Sequence, residues 1–219
     1  MFAKALVPDG ACLYSRRMID RLMIGMLERV SPMRLPAARI LACLLLILMG
    51  GAQAQQQAGA DGYAEEDRDW GIAATNRLRQ QPYHGPTPLT IPGAQVVSTR
   101  ELQAMLAGAG SPILIDVLSE GGHVTLAGAV WISGAGRGTN FMDPVQAVLA
   151  QLLTKLSGDN KARALVFFCA SSQCWLSYNA ALRAVALGYT KVYWYRGGVE
   201  AWGAAGLPTA KTAGKAPSP

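Results

Sequence analysis

The sequence predicts an α/β domain: a mostly parallel sheet with helices on both faces. Continuously apolar strand runs alternate with helical runs, and helix start and stop signals separate them. Ser98 followed by Glu101 forms a capping box that opens a short helix to about Ala107. Pro112-Ile-Leu-Ile-Asp-Val-Leu118 reads as a buried strand, and Ala129-Val-Trp-Ile132 as a second, shorter one. Asp143-Pro144 supplies an N-cap and a proline at the first helical position. In the helix that follows, Val145, Val148, Leu149, Leu152, Leu153 and Leu156 share one apolar face until Gly158 ends it. Residues 164–168 form the third strand, and an apolar-periodic helix from Trp175 to Leu187 stops at Gly188. Lys191-Val-Tyr-Trp-Tyr195 is the fourth strand, before Gly197-Gly198 and a last short helix. Such folds place their sites at the carboxyl ends of the strands, where Asp116 and Cys169 would both lie.

The flanks differ from this domain. Arg34 and Arg39 precede the apolar run Ile40–Met49, which is too short to span a bilayer, and Gly50-Gly51-Ala52-Gln53-Ala54 follows with a small-x-small pattern. Residues 1–54 are therefore expected to be an export signal, with translation starting instead at Met26 or Met33 as an alternative, and the mature chain is expected in the periplasm with no stable membrane span. Cys12 and Cys43 would leave with the signal. Removing residues 1–54 leaves 13 basic and 11 acidic side chains, a net of +2, so the basic balance belongs mostly to the leader. With no Lys/Arg run remaining, nucleic-acid binding is not expected. Residues 55–96 read as an irregular N-terminal arm whose Tyr63, Trp70 and Tyr83 could pack on the domain at 97–209, and residues 210–219 as a disordered tail.

Chemistry is expected in the loop Cys169-Ala-Ser-Ser-Gln-Cys174, between an apolar strand and an apolar-periodic helix. Backbone N–H groups in such a loop, at the positive end of a helix dipole, favour a thiolate and can hold an anion. Ala170, Ser171, Ser172, Gln173 and Trp175 are the candidate substrate-binding residues, with Cys169 and Cys174 the candidate catalytic pair. Asp116 is expected to accept backbone N–H groups near the loop and support its shape, since a buried carboxylate must be hydrogen-bonded. Arg137, within Gly134-Ala-Gly-Arg-Gly138, could bring a positive charge to the mouth or serve as a surface loop arginine.

Several stretches together resemble a rhodanese domain over about residues 97–209: Leu114-Ile-Asp116-Val, Gly128-Ala129-Val130, the strand-ending Cys169 loop, Val192-Tyr-Trp-Tyr-Arg-Gly197-Gly198-Val-Glu-Ala-Trp202 and Gly206-Leu-Pro208. More narrowly, Cys174-Trp175, Ser177-Tyr178-Asn179-Ala180-Ala181 and Gly188-Tyr189-Thr190 resemble the rhodanese-related CxxCW-motif proteins associated with pyrroloquinoline-quinone-dependent catabolism. Pro86-Thr-Pro88 and Ile91-Pro-Gly-Ala94 fit that group as well, although this chain has four residues between its cysteines where the motif name has two.

The resemblance implies a rhodanese-type cycle in which a thiolate takes a sulfane sulfur as a persulfide and passes it to an acceptor. The substrate would be a small sulfur-containing or thiol compound, and the partner a periplasmic quinoprotein dehydrogenase system. A second thiol favours redox cycling, since it attacks a neighbouring persulfide to give a disulfide. In an oxidising compartment the pair can equally rest as a disulfide staple, on a scaffold that serves assembly without turnover. His123 matches in position a loop histidine common in rhodaneses, and neither it nor His84 has ligand-like spacing to the pair, so no metal is expected. No cofactor is expected either, because no residue forms an evident quinone site.

Overall fold

The computed structural model describes residues 62–212. The expected signal, Cys12, Cys43, residues 55–61 of the arm and residues 213–219 of the tail lie outside the described residues. Among the described residues seven strands form: β1 Gln95–Val97, β2 Ile113–Asp116, β3 Val124–Leu126, β4 Val130–Trp131, β5 Leu165–Phe168, β6 Val192–Tyr195 and β7 Thr209–Lys211. Four α-helices join them: α1 Thr99–Ala107, α2 Pro144–Ser157, α3 Trp175–Ala186 and α4 Gly198–Ala204. Among the described residues, no helix is long and apolar enough to cross a membrane.

The main sheet has the order β1-β6-β5-β2-β4, and every pairing in it is parallel. Because side chains alternate across a strand, β5 sends Leu165 and Phe167 to one face and Val166 and Phe168 to the other. The first face packs against α2 through Leu149 and Leu153 and against α3 through Leu176, Ala180 and Ala184. The opposite face packs against Leu102 of α1 and Ala201 and Trp202 of α4. Both faces are thus covered, as a parallel sheet requires, and the fold class is the expected one.

Local chemistry sets the helix ends. Ser98 and Glu101 close the capping box in both directions, with the Ser98 amide donating to Glu101 at 2.7 Å and the Glu101 amide donating to the Ser98 hydroxyl at 3.3 Å. Asp143 caps α2 by accepting from the Gln146 amide at 3.0 Å, and Gly158 ends that helix in the left-handed region.

Two expected boundaries shift. The break between arm and domain at residues 96 and 97 falls inside β1, whose Gln95 and Val96 pair with Tyr193 and Trp194 of β6. Ala210 and Lys211, expected in a disordered tail, are part of β7, which pairs antiparallel with β3 and puts Lys211 opposite Val124. Backbone hydrogen bonds order this edge ribbon, whose β7 side chains are all exposed, so its hydrophobic pattern is silent.

Buried Arg183 pairs with the partly buried Asp143 at 2.8 Å, tying α3 to the cap of α2. Arg183 also donates to the carbonyls of Arg137 and Asn140 and to the Gln146 amide oxygen. Burial works against the Asp143 carboxylate, but hydrogen bonds from Arg183 and from the Gln146 and Thr139 amides outweigh it and hold the group at about 2, below its ordinary 3.8. A depressed carboxylate stabilises the fold above its unfolded value, and that contribution disappears as the group protonates. Stability is therefore expected to fall between about pH 4 and pH 2, and Asp143→Asn to flatten that part of the profile. Urea midpoints measured across that range for both proteins check it.

Candidate functional site

Cys169 follows the last residue of β5, the strand at the centre of the sheet, and Cys174 immediately precedes α3. The two are joined in a disulfide across a separation of five residues, with their Cα atoms 6.2 Å apart. Both sulfurs are enclosed: Cys169 is 1% exposed and Cys174 8%.

The loop is held from below by α4. The Val199 amide donates to the Cys169 carbonyl at 3.0 Å and the Glu200 amide to the Ala170 carbonyl at 2.9 Å. Gly198 lets α4 come this close, because a Cβ there would stand 2.4 Å from the Cys169 carbonyl oxygen.

Three of the amides expected in an open cradle, those of Gln173, Cys174 and Trp175, are instead occupied. The Gln173 amide donates to the Ser171 hydroxyl at 3.3 Å and the Cys174 amide to the Ser171 carbonyl at 3.1 Å. The Trp175 amide, at the positive end of α3, donates to the Tyr83 carbonyl at 2.9 Å. These donors are occupied within the chain, so in this oxidised form they do not converge on an anion. Ser171 and Ser172 are buried, and the Ser172 carbonyl accepts from the Thr87 hydroxyl at 2.5 Å.

The cover over the loop comes from the arm. His84 lies in an antiparallel bridge with Cys174, and the Gly85 amide donates to the Gln173 carbonyl at 2.9 Å. Trp175 donates its indole N–H to the Pro86 carbonyl at 3.0 Å, packs edge-on against Tyr178, and lies beneath the Arg79 guanidinium at 5.6 Å. Tyr83 packs against the core that holds both cysteines, Trp70 stacks under Arg196 at 4.7 Å, and Tyr63 packs on the opposite face of the sheet. Among its described residues the arm has little secondary structure of its own, only a 3-10 turn at Tyr63–Glu65 before β1, because its backbone groups pair with the domain.

Arg196, one residue past β6, is 1% exposed and makes four hydrogen bonds to the arm. Its Nε donates to the Thr87 hydroxyl at 3.0 Å, and its Nη2 to the carbonyls of Thr87 at 3.1 Å and Arg68 at 2.9 Å. Its Nη1 donates to the Glu66 carbonyl. Burial lowers the pKa of this guanidinium, opposed by the nearby Asp67 and Asp69 carboxylates. Glu66 in turn accepts from the amide and hydroxyl of Thr99, tying the arm to the start of α1.

Asp116 is fully buried at the end of β2, beside β5. Its carboxylate accepts the Leu118 amide at 2.9 Å and His123 Nε2 at 2.6 Å, while His123 Nδ1 stands 2.5 Å from the Glu120 carbonyl. Asp116 thus fixes the turn after β2 and the loop leading to β3, with one backbone amide and one imidazole as its partners. Arg137 has an exposed side chain, and its buried contribution is the carbonyl that accepts from Arg183. The glycine-rich stretch around it seats against α3, where a Cβ on Gly136 would lie 1.9 Å from the Leu176 carbonyl oxygen.

Arg196 and Thr87 organise this site, and Arg183 ties α3 to the cap of α2, without having been singled out from the sequence. For the two arginines a signal existed, since one lies within an apolar helix and the other directly follows a buried strand. For Thr87 there was none, because its hydroxyl meets the Ser172 carbonyl and Arg196 only once segments distant in sequence come together.

A five-stranded parallel sheet with helices on both faces and a cysteine loop leaving its central strand define a parallel α/β domain. Residues 98–205 match the rhodanese-like domain family, and the chain carries a rhodanese-like domain over that span. Among solved structures, the chain is similar to a thiosulfate sulfurtransferase from Pseudomonas aeruginosa at 16% identity and TM-score 0.42, covering 57% of this chain and 21% of that one. It is also similar to a polysulfide-sulfur transferase from Wolinella succinogenes at 17% identity and TM-score 0.38, covering 55% of this chain and 81% of that one. No curated protein matches the chain.

Proposed function

We propose that this chain is an exported rhodanese-like protein in which Cys169 takes up sulfane sulfur and Cys174 resolves the product, with the Cys169–Cys174 disulfide as the oxidised resting form. The observation that carries the reading is the second thiol bonded to the cysteine at the carboxyl end of the central strand. A staple of so small a ring adds only about 2 kcal/mol by loop-closure entropy, little for a domain whose core is already closed on both faces.

The cycle begins with a dithiol reductant. Its thiolate attacks Cys174 Sγ and displaces the Cys169 thiolate, and its second thiolate then frees Cys174 and leaves the reductant as a disulfide. The Cys169 thiolate attacks the outer sulfur of a donor such as thiosulfate, displacing sulfite and forming a persulfide. The Cys174 thiolate next attacks Cys169 Sγ, expels hydrosulfide and restores the disulfide. Two electrons pass from the dithiol to the sulfane sulfur, and one proton is released.

Export is supported by Arg34, Arg39, the apolar run Ile40–Met49 and the small-x-small pattern ending at Ala54. A place beside a periplasmic quinoprotein dehydrogenase system, in pyrroloquinoline-quinone-dependent alcohol catabolism, is supported by the resemblance carried by Cys174-Trp175, Ser177–Ala181, Gly188-Tyr189-Thr190, Pro86-Thr-Pro88 and Ile91–Ala94. The near-complete burial of Cys169 favours a second reading, in which the disulfide is structural and the domain is an assembly partner.

Mass spectrometry after reduction and thiosulfate treatment separates the two. The wild-type chain is expected to release hydrosulfide and return to the disulfide, whereas Cys174→Ser is expected to retain one added sulfur on Cys169. No sulfur gain on Cys169 in either protein, with a disulfide that resists mild dithiol, establishes the staple instead.

A further inference from the structure

We infer that Tyr83–Thr87 is a strap that shuts the cysteine loop, and that Arg196 is its latch. The inference deepens the reading of this loop as a thiol site and rests on it for its purpose, but its geometry stands apart from any sulfur chemistry.

The strap lies along the loop as an extra extended segment. Its backbone exchanges hydrogen bonds with both sides of Cys174, from Gly85 to Gln173 and from Trp175 to Tyr83, and the Thr87 hydroxyl adds a third to Ser172. This is how an extended peptide adds to an exposed backbone edge, and here the chain supplies the peptide itself. With the strap in place the two cysteine residues are 1% and 8% exposed, so a reductant needs the strap to lift before it can approach either sulfur in line.

The strap holds to the domain mainly through backbone groups, with the Tyr83 ring and the Thr87 hydroxyl as its side-chain anchors. Within Tyr83–Thr87 only Thr87 is buried, and His84 and Pro86 are exposed. A short segment fixed by backbone bonds at its ends opens locally at far lower cost than the sheet beneath it. Arg196 concentrates the attachment: two of its bonds reach Thr87 and the other two reach Glu66 and Arg68, so one side chain clamps both ends of the arm. Its own position does not depend on the arm, since it directly follows β6, which is paired on both sides by β1 and β5. The latch is thus built on the rigid part of the molecule and the moving part is the strap.

The test is the rate at which dithiothreitol reduces the Cys169–Cys174 disulfide in the folded, full-length protein. Arg196→Gln is expected to raise the second-order rate about tenfold or more, because the equilibrium between closed and open strap shifts when four bonds are lost. Hydrogen exchange distinguishes release from general destabilisation: the Gly85 and Trp175 amides are expected to exchange faster while those of β5 do not. Should Arg196→Gln fail to fold, Thr87→Val removes the hydroxyl that bridges Arg196 and Ser172 while keeping the guanidinium, and the same acceleration is expected in smaller measure. An unchanged reduction rate despite faster exchange at Gly85 and Trp175 overturns the strap, and unchanged exchange at those amides in Arg196→Gln overturns the latch. A chain whose Cys169 never gains sulfur from thiosulfate defeats the proposed function, yet leaves both rate measurements able to decide the strap.

Discussion

Asp143→Ala is expected to lower the unfolding free energy by about 3–5 kcal/mol, the usual cost of removing one partner of a buried ion pair. Arg183 is completely buried, so its guanidinium would be left as an uncompensated charge. Its remaining acceptors, two carbonyls and one side-chain amide oxygen, are dipoles and do not balance it. The same substitution strips the N-cap of α2. Much of this cost comes from the stranded charge, so Asp143→Ala with Arg183→Met is expected to be less destabilised than Asp143→Ala alone. Chemical denaturation of both variants measures it, and a double variant no more stable than the single one would show that packing of the Arg183 stem, rather than charge, dominates.

Trp194→Ala is expected to cost a similar 3–5 kcal/mol, for a different reason. Trp194 is fully buried in β6, stands edge-on to Tyr178 of α3 at 5.1 Å, and donates its indole N–H to the Ser177 hydroxyl at 3.0 Å. Truncation opens a cavity between sheet and helix and leaves that buried hydroxyl without its donor. Trp194→Phe fills most of the space and loses only the hydrogen bond, so a small fraction of the loss is expected. Thermal melts of the two variants read the difference, and equal losses would mean that the hydrogen bond, not the volume, holds α3 against β6.

The interior was legible in the sequence because it obeys period. The runs that form β2, β5 and β6 are buried on both faces and therefore continuously apolar, while α2 shows its stripe between a proline start and a glycine stop. The placement of Cys169 and Asp116 at neighbouring strand ends followed from those runs. Strands β1, β3 and β7 are three residues long and lie at sheet edges, where backbone pairing does the ordering and side chains are free to be polar.

The arm was illegible for a related reason. Its hydrogen bonds connect residues about 90 to 130 positions apart, and no local pattern encodes a bond of that span. The same gap explains why the loop amides were read as open: their partners at Tyr83 and within the Ser171 turn are visible only once the chain has folded back on itself.

Cys169 and Cys174 lie five positions apart, whereas Arg196 meets Glu66 only across 130. Contacts so unequal in range are made at different times, because closing a long loop is entropically slower than closing a short one. A folding chain can join its two sulfurs as soon as the loop closes, yet it cannot fasten Glu66 until β6 has zipped into the sheet and set Arg196 in place. The order of assembly therefore leaves an interval in which the thiols are reachable by whatever oxidant or carrier the chain meets, before the finished molecule closes over them.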